Sequence, residues 1–228
     1  MKFFRESEIA LVVDLEATCW RGRPPEGMYN EIIEIGISGI DHKTKEIVFK
    51  DGIIIKPRFS EISSFCTELT SIDQKLVNEK GVDFSTACQI LRNKFMSKGR
   101  LWMSFGDYDK KQMQKDCKLN CVENPMGKNH IDLMPLFNFS FNLKKGLGVS
   151  SILEHLDMEF EGVKHRAIDD AYNTALILQR AYSGSSDIGF KPKKKEHEIL
   201  EEFIKSKYSE DALIGNMSRV LRKNMPPK

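Results

Sequence analysis

The chain has 228 residues, of which 40% are hydrophobic and 30% charged, and its formal net charge is +2. This composition is typical of a globular protein with a sizeable core, and the net charge is too small for a surface built for nonspecific binding of nucleic acid. The absence of any apolar run near the roughly 20 residues that span a bilayer, and of a secretion signal, argues against a membrane or exported protein. Its five scattered cysteines are odd in number, so we expect reduced thiols in a cytoplasmic protein, or a nuclear one.

Two carboxylates follow the first apolar run of the chain. Residues 9–13 are typical of a strand buried on both faces, and Asp14 and Glu16 follow at spacing i, i+2. In a strand this spacing places both side chains on one face. Burying them unpaired costs roughly several kcal/mol, so the fold must supply a positive charge, for which a divalent cation is the obvious source. Taken alone, such a pair is more often solvated in a loop at the end of a strand, so the metal interpretation depends on further residues.

Two further strands are predicted before the first long helix. A loop rich in glycine and proline covers residues 19–27. Residues 31–40 and 46–56 have strand patterns, with a turn at 41–44 between them, and Pro57 ends the second of them. These features predict an antiparallel meander of three strands.

Helix and strand patterns alternate in the second half of the chain. A short buried strand is predicted at residues 101–105, and residues 131–134 fit either a strand or the start of a helix. Helices are predicted at residues 84–96, where Gly99 closes the helix, and at 109–119, 149–156 and 167–182. This alternation implies parallel pairing of the strands.

A composition change divides the chain near residue 183. Glycine and serine at 184–186 and a lysine cluster at 191–195 mark the boundary. We therefore predict one domain at residues 1–183 and a basic, helical extension at residues 184–228.

Further acids and a histidine occur at two later places. Asp107 and Asp109 directly follow a buried strand at the start of a helix, a position that simple capping of the helix also favours. Asp170 lies in the first turns of another helix, and His165 precedes it in the loop that leads there. A loop histidine of this kind can swing over a metal site whose ligand the helix holds.

Taken together, these residues follow the order D-x-E, D, H-x4-D, and over about residues 7–183 the chain resembles the DEDDh class of 3′-to-5′ exonucleases. Within that class it is most similar to the Eri-type exoribonucleases and their bacterial relatives. The segments that carry the resemblance are residues 13–20, 31–36, 56–57, 64–72 and 165–171. The resemblance implies an α/β fold of the RNase H type, in which a mixed five-stranded sheet, three antiparallel strands followed by parallel ones, is flanked by helices.

The resemblance also implies the chemistry of the site. Asp14, Glu16, Asp109 and Asp170 would hold two Mg²⁺ or Mn²⁺ ions, and His165 would act as the general base. The family pattern places its third acid after a bulky residue and four positions before an apolar one, which selects Asp109 over Asp107. The H-x4-D spacing selects Asp170, with Asp169 as the fallback.

The activity implied by the family is hydrolysis of single-stranded RNA from its 3′ end, with release of 5′-nucleoside monophosphates. A pocket for the terminal nucleotide is implied at residues Leu15, Ala17, Trp20, Phe65, Leu69 and Thr70. In that pocket Leu69 and Phe65 would face the base and Thr70 the sugar, although Phe65 fits a core position equally well. An exonuclease acting mainly on DNA, and a noncatalytic nucleic-acid-binding module of the same fold, are the alternatives.

Overall fold

A five-stranded mixed sheet forms the centre of the protein in a computed structural model that describes residues 9–141, 143 and 147–182. Its strands are β1 (Ile9–Ala17), β2 (Ile32–Asp41), β3 (Ile47–Ile54), β4 (Trp102–Ser104) and β5 (His130–Asp132). They lie in the order β3-β2-β1-β4-β5. β1, β2 and β3 are antiparallel neighbours, whereas β4 pairs parallel with both β1 and β5. The predicted fold class is therefore confirmed, while the predicted extension at 184–228 lies outside the described residues.

Helices flank the sheet. They are α1 (Ser64–Thr70), α2 (Gln74–Lys80), α3 (Phe84–Phe95), α4 (Tyr108–Leu119), α5 (Leu133–Ser140), α6 (Val149–His155) and α7 (Ala167–Tyr182). The four predicted helices correspond to α3, α4, α6 and α7, and their observed ends differ from prediction by one residue at most. Within the described ranges, no helix is both long and apolar enough to cross a bilayer.

Two details of the prediction need correction. Gly99 does not close α3, because Met96 takes the left-handed conformation (φ 53°) that ends the helix and its N–H bonds to the carbonyl of Leu91. The ambiguous segment at 131–134 contains both elements. The strand β5 ends at Asp132, whose carboxylate accepts the N–H of Met134 and so caps α5.

The core lies on both faces of β1, as its apolar run predicts. Val12 packs into a cluster with residues of α5, α6 and α7. Leu11, Val13 and Leu15 point to the opposite face and pack with residues of α3 and α4. Because side chains alternate along a strand, Asp14 and Glu16 lie on the same side of the sheet as Val12, the side that α7 covers.

The start of α7 rests directly on β2. A Cβ atom placed on Gly36 would lie 1.8 Å from the carbonyl oxygen of Ala167, the first residue of that helix. Gly36 is also the direct partner of Asp14 in the antiparallel pair of β1 and β2. The missing side chain at Gly36 therefore lets the first turn of α7 approach the carboxylates of β1.

Candidate active site

Three carboxylates meet where β1 faces the first turn of α7. Oxygen atoms of Asp14, Glu16 and Asp170 all lie within 4.8 Å of one another. β1 continues through both of its acids, so their side chains stay on one face, and α7 contributes the third. The structure thus brings three of the four acids close enough together to share one cation.

One oxygen in this cluster lacks a hydrogen-bond donor. The Oδ2 atom of Asp170 is buried and has no hydrogen-bond partner among the described residues. An unpaired buried carboxylate oxygen is costly, and Mg²⁺ and Mn²⁺ prefer oxygen ligands of this type. The residues present therefore fit a divalent cation held by the carboxylates of Asp14, Glu16 and Asp170.

The acids of the cluster hold their protons more tightly than free carboxylic acids do. Burial raises the pKa of Glu16 to about 8, and the charge of Asp170 adds to this effect. Burial also raises the pKa of Asp170 to about 6. The pKa of Asp14 is raised well above its ordinary range, first by burial and then by the charges of Asp109 and Asp170. The negative charges of these carboxylates repel one another because little water screens them, and a bound cation would offset that repulsion.

Asp109 lies behind this cluster, at the start of α4. It is 3% exposed, and its Oδ1 atom accepts the N–H of Leu15 at 3.0 Å. Burial raises its pKa to about 7, although the bond from Leu15 acts in the opposite direction. Asp107, in contrast, is exposed and lies 3.8 Å from the ammonium of Lys111. The structure thus brings Asp109, rather than Asp107, next to the strand that carries Asp14.

His165 lies in the loop before α7 and reaches the cluster from the solvent side. Its backbone is left-handed (φ 60°), and its side chain is 56% exposed. The Nδ1 atom is 3.9 Å from Oε1 of Glu16. The imidazole is therefore beside the carboxylates and open to water.

Asp169, the fallback for Asp170, points elsewhere. Its Oδ1 atom pairs with the ammonium of Lys50 at 2.5 Å, and its Oδ2 atom accepts the N–H of Val163 at 2.9 Å. These contacts connect α7 to β3 and to the loop that carries His165. The carboxylate thus faces away from the cluster.

The residues predicted around the terminal nucleotide differ in exposure. Trp20 and Phe65 are half-buried, and Leu69 is 37% exposed. Leu15 and Ala17 are buried within β1. Their contact with a nucleotide stays a prediction for all five.

Thr70 is fully buried at the end of α1. Its hydroxyl donates to the carbonyl of Cys66 at 2.8 Å and accepts the N–H of Ile72 at 3.1 Å. The hydroxyl is therefore engaged in ending the helix, and a contact with the sugar of a nucleotide stays a prediction.

Sequence reasoning gave no role to three residues that the structure places here. Glu34 on β2 and Arg166 at the start of α7 form an ion pair beside the carboxylates. Tyr108, which precedes Asp109, is 53% exposed, and partial desolvation together with the charges of Asp109 and Glu16 raises its pKa. The segment 31–36 carried part of the family resemblance, but no local pattern assigned a function to its second glutamate.

The protein has the features of the DEDDh class of 3′-to-5′ exonucleases. These features are the strand order of the mixed sheet, the acids clustered on the first strand and the histidine in the loop before the last helix. The chain belongs to the exonuclease family RNase_T, whose model matches residues 11–178. It is therefore a 3′-to-5′ exonuclease.

Known proteins similar to the chain agree with this assignment. The 3′-5′ exonuclease Snipper of Drosophila melanogaster is 30% identical over 190 residues, which cover 74% of this chain and 67% of that protein. ERI1 exoribonuclease 2 of Xenopus laevis is 28% identical, over 76% of this chain but only 28% of its own length. The nuclease domain of 3′hExo, a DEDDh family member bound to rAMP, is 26% identical with a TM-score of 0.70, over 77% of this chain and 92% of that domain.

Proposed function

We propose that this exonuclease removes 5′-nucleoside monophosphates from single-stranded RNA 3′ ends with the help of two Mg²⁺ or Mn²⁺ ions. The observation that carries the proposal is the cluster of Asp14, Glu16 and Asp170, with its unpartnered buried oxygen. The choice of RNA is supported by similar proteins that are named exoribonucleases and by a neighbour that holds rAMP.

The acids have distinct places in this proposal. Asp14, Glu16 and Asp170 would hold one ion, and Asp109, whose charge acts on Asp14, would help to hold a second. When bound, the ions supply charge neutralisation at the phosphate and the leaving 3′ oxygen and lower the pKa of the attacking water. The hydrogen bond from the N–H of Leu15 holds the carboxylate of Asp109 against β1.

His165 serves as the general base. Its imidazole is exposed beside Glu16, so it can take a proton from water and pass it to solvent. The oxygen of that water attacks the phosphorus, the bond between phosphorus and the 3′ oxygen of the preceding nucleotide breaks, and that 3′ oxygen takes up a proton from solvent. The products are a 5′-nucleoside monophosphate and an RNA shortened by one nucleotide with a new 3′-hydroxyl.

The terminal nucleotide lies against apolar side chains near the cluster. Leu69 and Tyr108 are among the exposed large side chains of the protein, and Phe65 lies four residues before Leu69 on α1. Stacking on such surfaces tolerates any base. We therefore expect trimming with little dependence on sequence.

The test is a time course on a 5′-labelled single-stranded RNA with Mn²⁺ or Mg²⁺. We expect a ladder of products that shorten one nucleotide at a time and no activity in EDTA. The Asp14→Ala variant, checked for folding by circular dichroism, is the matched inactive control. Internal fragments, or an undiminished rate in Asp14→Ala, would contradict the proposal, and faster degradation of a DNA of the same sequence would identify DNA as the preferred polymer.

A further inference from the structure

Glu34 is a carboxylate at the site that the proposed reaction does not use. It is the direct partner of Glu16 in the antiparallel pair of β1 and β2, so both side chains lie on the face that α7 covers. Glu34 is 1% exposed. A charge buried this deeply must be paired, and its partners determine what it does.

Those partners all belong to the start of α7. Arg166 donates from Nε to Oε2 at 3.0 Å and from Nη2 to Oε1 at 2.8 Å, a two-pronged ion pair. The N–H of Ala167, the first residue of α7, donates to Oε2 at 2.8 Å. Glu34 thus binds the start of α7 through both the side chain of Arg166 and the backbone of Ala167.

Arg166 lies in the chain between His165 and Asp170, the proposed base and one of the proposed cation ligands. His165 immediately precedes Arg166, and the carbonyl of Arg166 accepts the N–H groups of Asp169 and Asp170 at 2.8 and 2.9 Å. Fixing the side chain of Arg166 therefore fixes the backbone on both sides of it. One side carries the imidazole and the other carries the carboxylate of the cluster.

We infer that Glu34 and Arg166 are positioning residues, which hold Asp170 at the cation site and the histidine loop over it. A buried ion pair adds little net stability compared with apolar residues of the same size, but its fixed two-pronged geometry specifies one arrangement. Gly36, two residues further along β2, also contributes, because its lack of a side chain allows the backbone of Ala167 to approach the strand. The inference rests on the proposed cation site.

The experiment measures Mn²⁺ binding, by the electron paramagnetic resonance signal of the free ion, and steady-state cleavage of labelled RNA. It uses the full chain with Glu34→Gln, Arg166→Met and Arg166→Lys. We expect both Mn²⁺ affinity and kcat to fall by about 10–100-fold in Glu34→Gln and Arg166→Met, the range found for groups that orient metal ligands. The KM for RNA stays within about threefold, because neither residue is among those proposed to contact the nucleotide, and Arg166→Lys recovers part of the loss.

Lys50→Met is the matched control. It removes an ion pair to Asp169, in the same turn of α7, whose carboxylate faces away from the cluster. We expect Mn²⁺ affinity and kcat like those of the unaltered protein.

Each outcome decides between the alternatives. If folded Glu34→Gln and Arg166→Lys bind Mn²⁺ and cleave RNA as the unaltered protein does, the inference is overturned, even if their melting temperatures fall and even if Arg166→Met does not fold. If the unaltered protein itself binds no Mn²⁺, the proposed function fails and takes the inference with it. Loss of affinity in Lys50→Met equal to that in Glu34→Gln would reduce the pair to general support of α7 and would also overturn the inference.

Discussion

Glu16 and Glu34 face each other across β1 and β2, yet their electrostatic surroundings are opposite. Glu34 is bonded to the guanidinium of Arg166, whereas the carboxylates of Asp14 and Asp170 lie beside Glu16. One glutamate is thus compensated by the protein itself. Within the described part of the chain, Glu16 has no such partner and adds to the negative charge of the cluster. A bound cation would compensate that charge, which accounts for three acids that repel one another lying together.

The first prediction concerns the stability of the cation-free protein at different pH values. Burial raises the pKa of Glu16 from 4.5 to about 8 and that of Asp170 from 3.8 to about 6. Between the unfolded and folded pKa values the folded chain binds more protons than the unfolded chain, so its stability falls as pH rises. We expect the melting temperature in EDTA to decrease steadily from about pH 4.5 to about pH 8.

Thermal unfolding followed by circular dichroism checks this trend. For a chain of this size, each kcal/mol of unfolding free energy corresponds to roughly 2–4 °C. Saturating Mn²⁺ should raise the melting temperature more at the upper end of the range, because the cation competes with protons for the same oxygens. A melting temperature in EDTA that stays level or rises over this range would contradict the assigned pKa shifts.

The second prediction compares the adjacent acids of α7. Asp170→Asn should lose Mn²⁺ binding and hydrolysis, because Asp170 supplies a carboxylate to the cluster. Asp169→Asn should keep Mn²⁺ binding but lower the free energy of unfolding by about 1–3 kcal/mol, because it weakens the bonds to Lys50 and Val163. Metal titration and denaturant unfolding of the two variants measure these effects. Equal loss of Mn²⁺ affinity in both variants would contradict the assignment of Asp170, rather than Asp169, as the acid of α7 that binds the cation.

The third prediction separates proton transfer from cation binding. His165→Ala should reduce the single-turnover rate by about 10²–10⁴-fold, as expected for loss of a general base. Mn²⁺ affinity should be unchanged, because the carboxylates remain. His155→Ala, an exposed position on α6, is the control and should have no effect on either quantity. A His165→Ala variant that keeps its rate would remove the imidazole from the reaction.

The architecture could be predicted because its signals are local. The apolar run at 9–13 and the helical spacing in α3 and α7 each follow from residues close together in the chain. The helices α1 and α2 are not predicted, because each has seven residues and no apolar periodicity was recognised in them. Their capping residues, Ser63 and Asp73, were the available signal.

The candidate site was predictable only in part, for the same reason. Asp14 and Glu16 are two residues apart, and His165 and Asp170 are five apart, so each half shows a short pattern. Glu34 and Arg166 are 132 residues apart, and nothing near either residue indicates the other. Such a pair is created by the packing of α7 on β2, and the sequence carries no periodicity or motif that reports it.

The last prediction tests that packing directly. Gly36→Ala places a Cβ atom 1.8 Å from the carbonyl oxygen of Ala167, a backbone atom that no side-chain rotation can move away. The first turn of α7 must shift, so we expect a loss of about 1–3 kcal/mol in unfolding free energy together with weaker Mn²⁺ binding, because Asp170 moves with the helix. Gly22→Ala, where the added Cβ meets nothing within 4 Å, should change neither quantity. A Gly36→Ala protein that is less stable but binds Mn²⁺ as tightly as the unaltered chain would show that the cluster tolerates movement of α7.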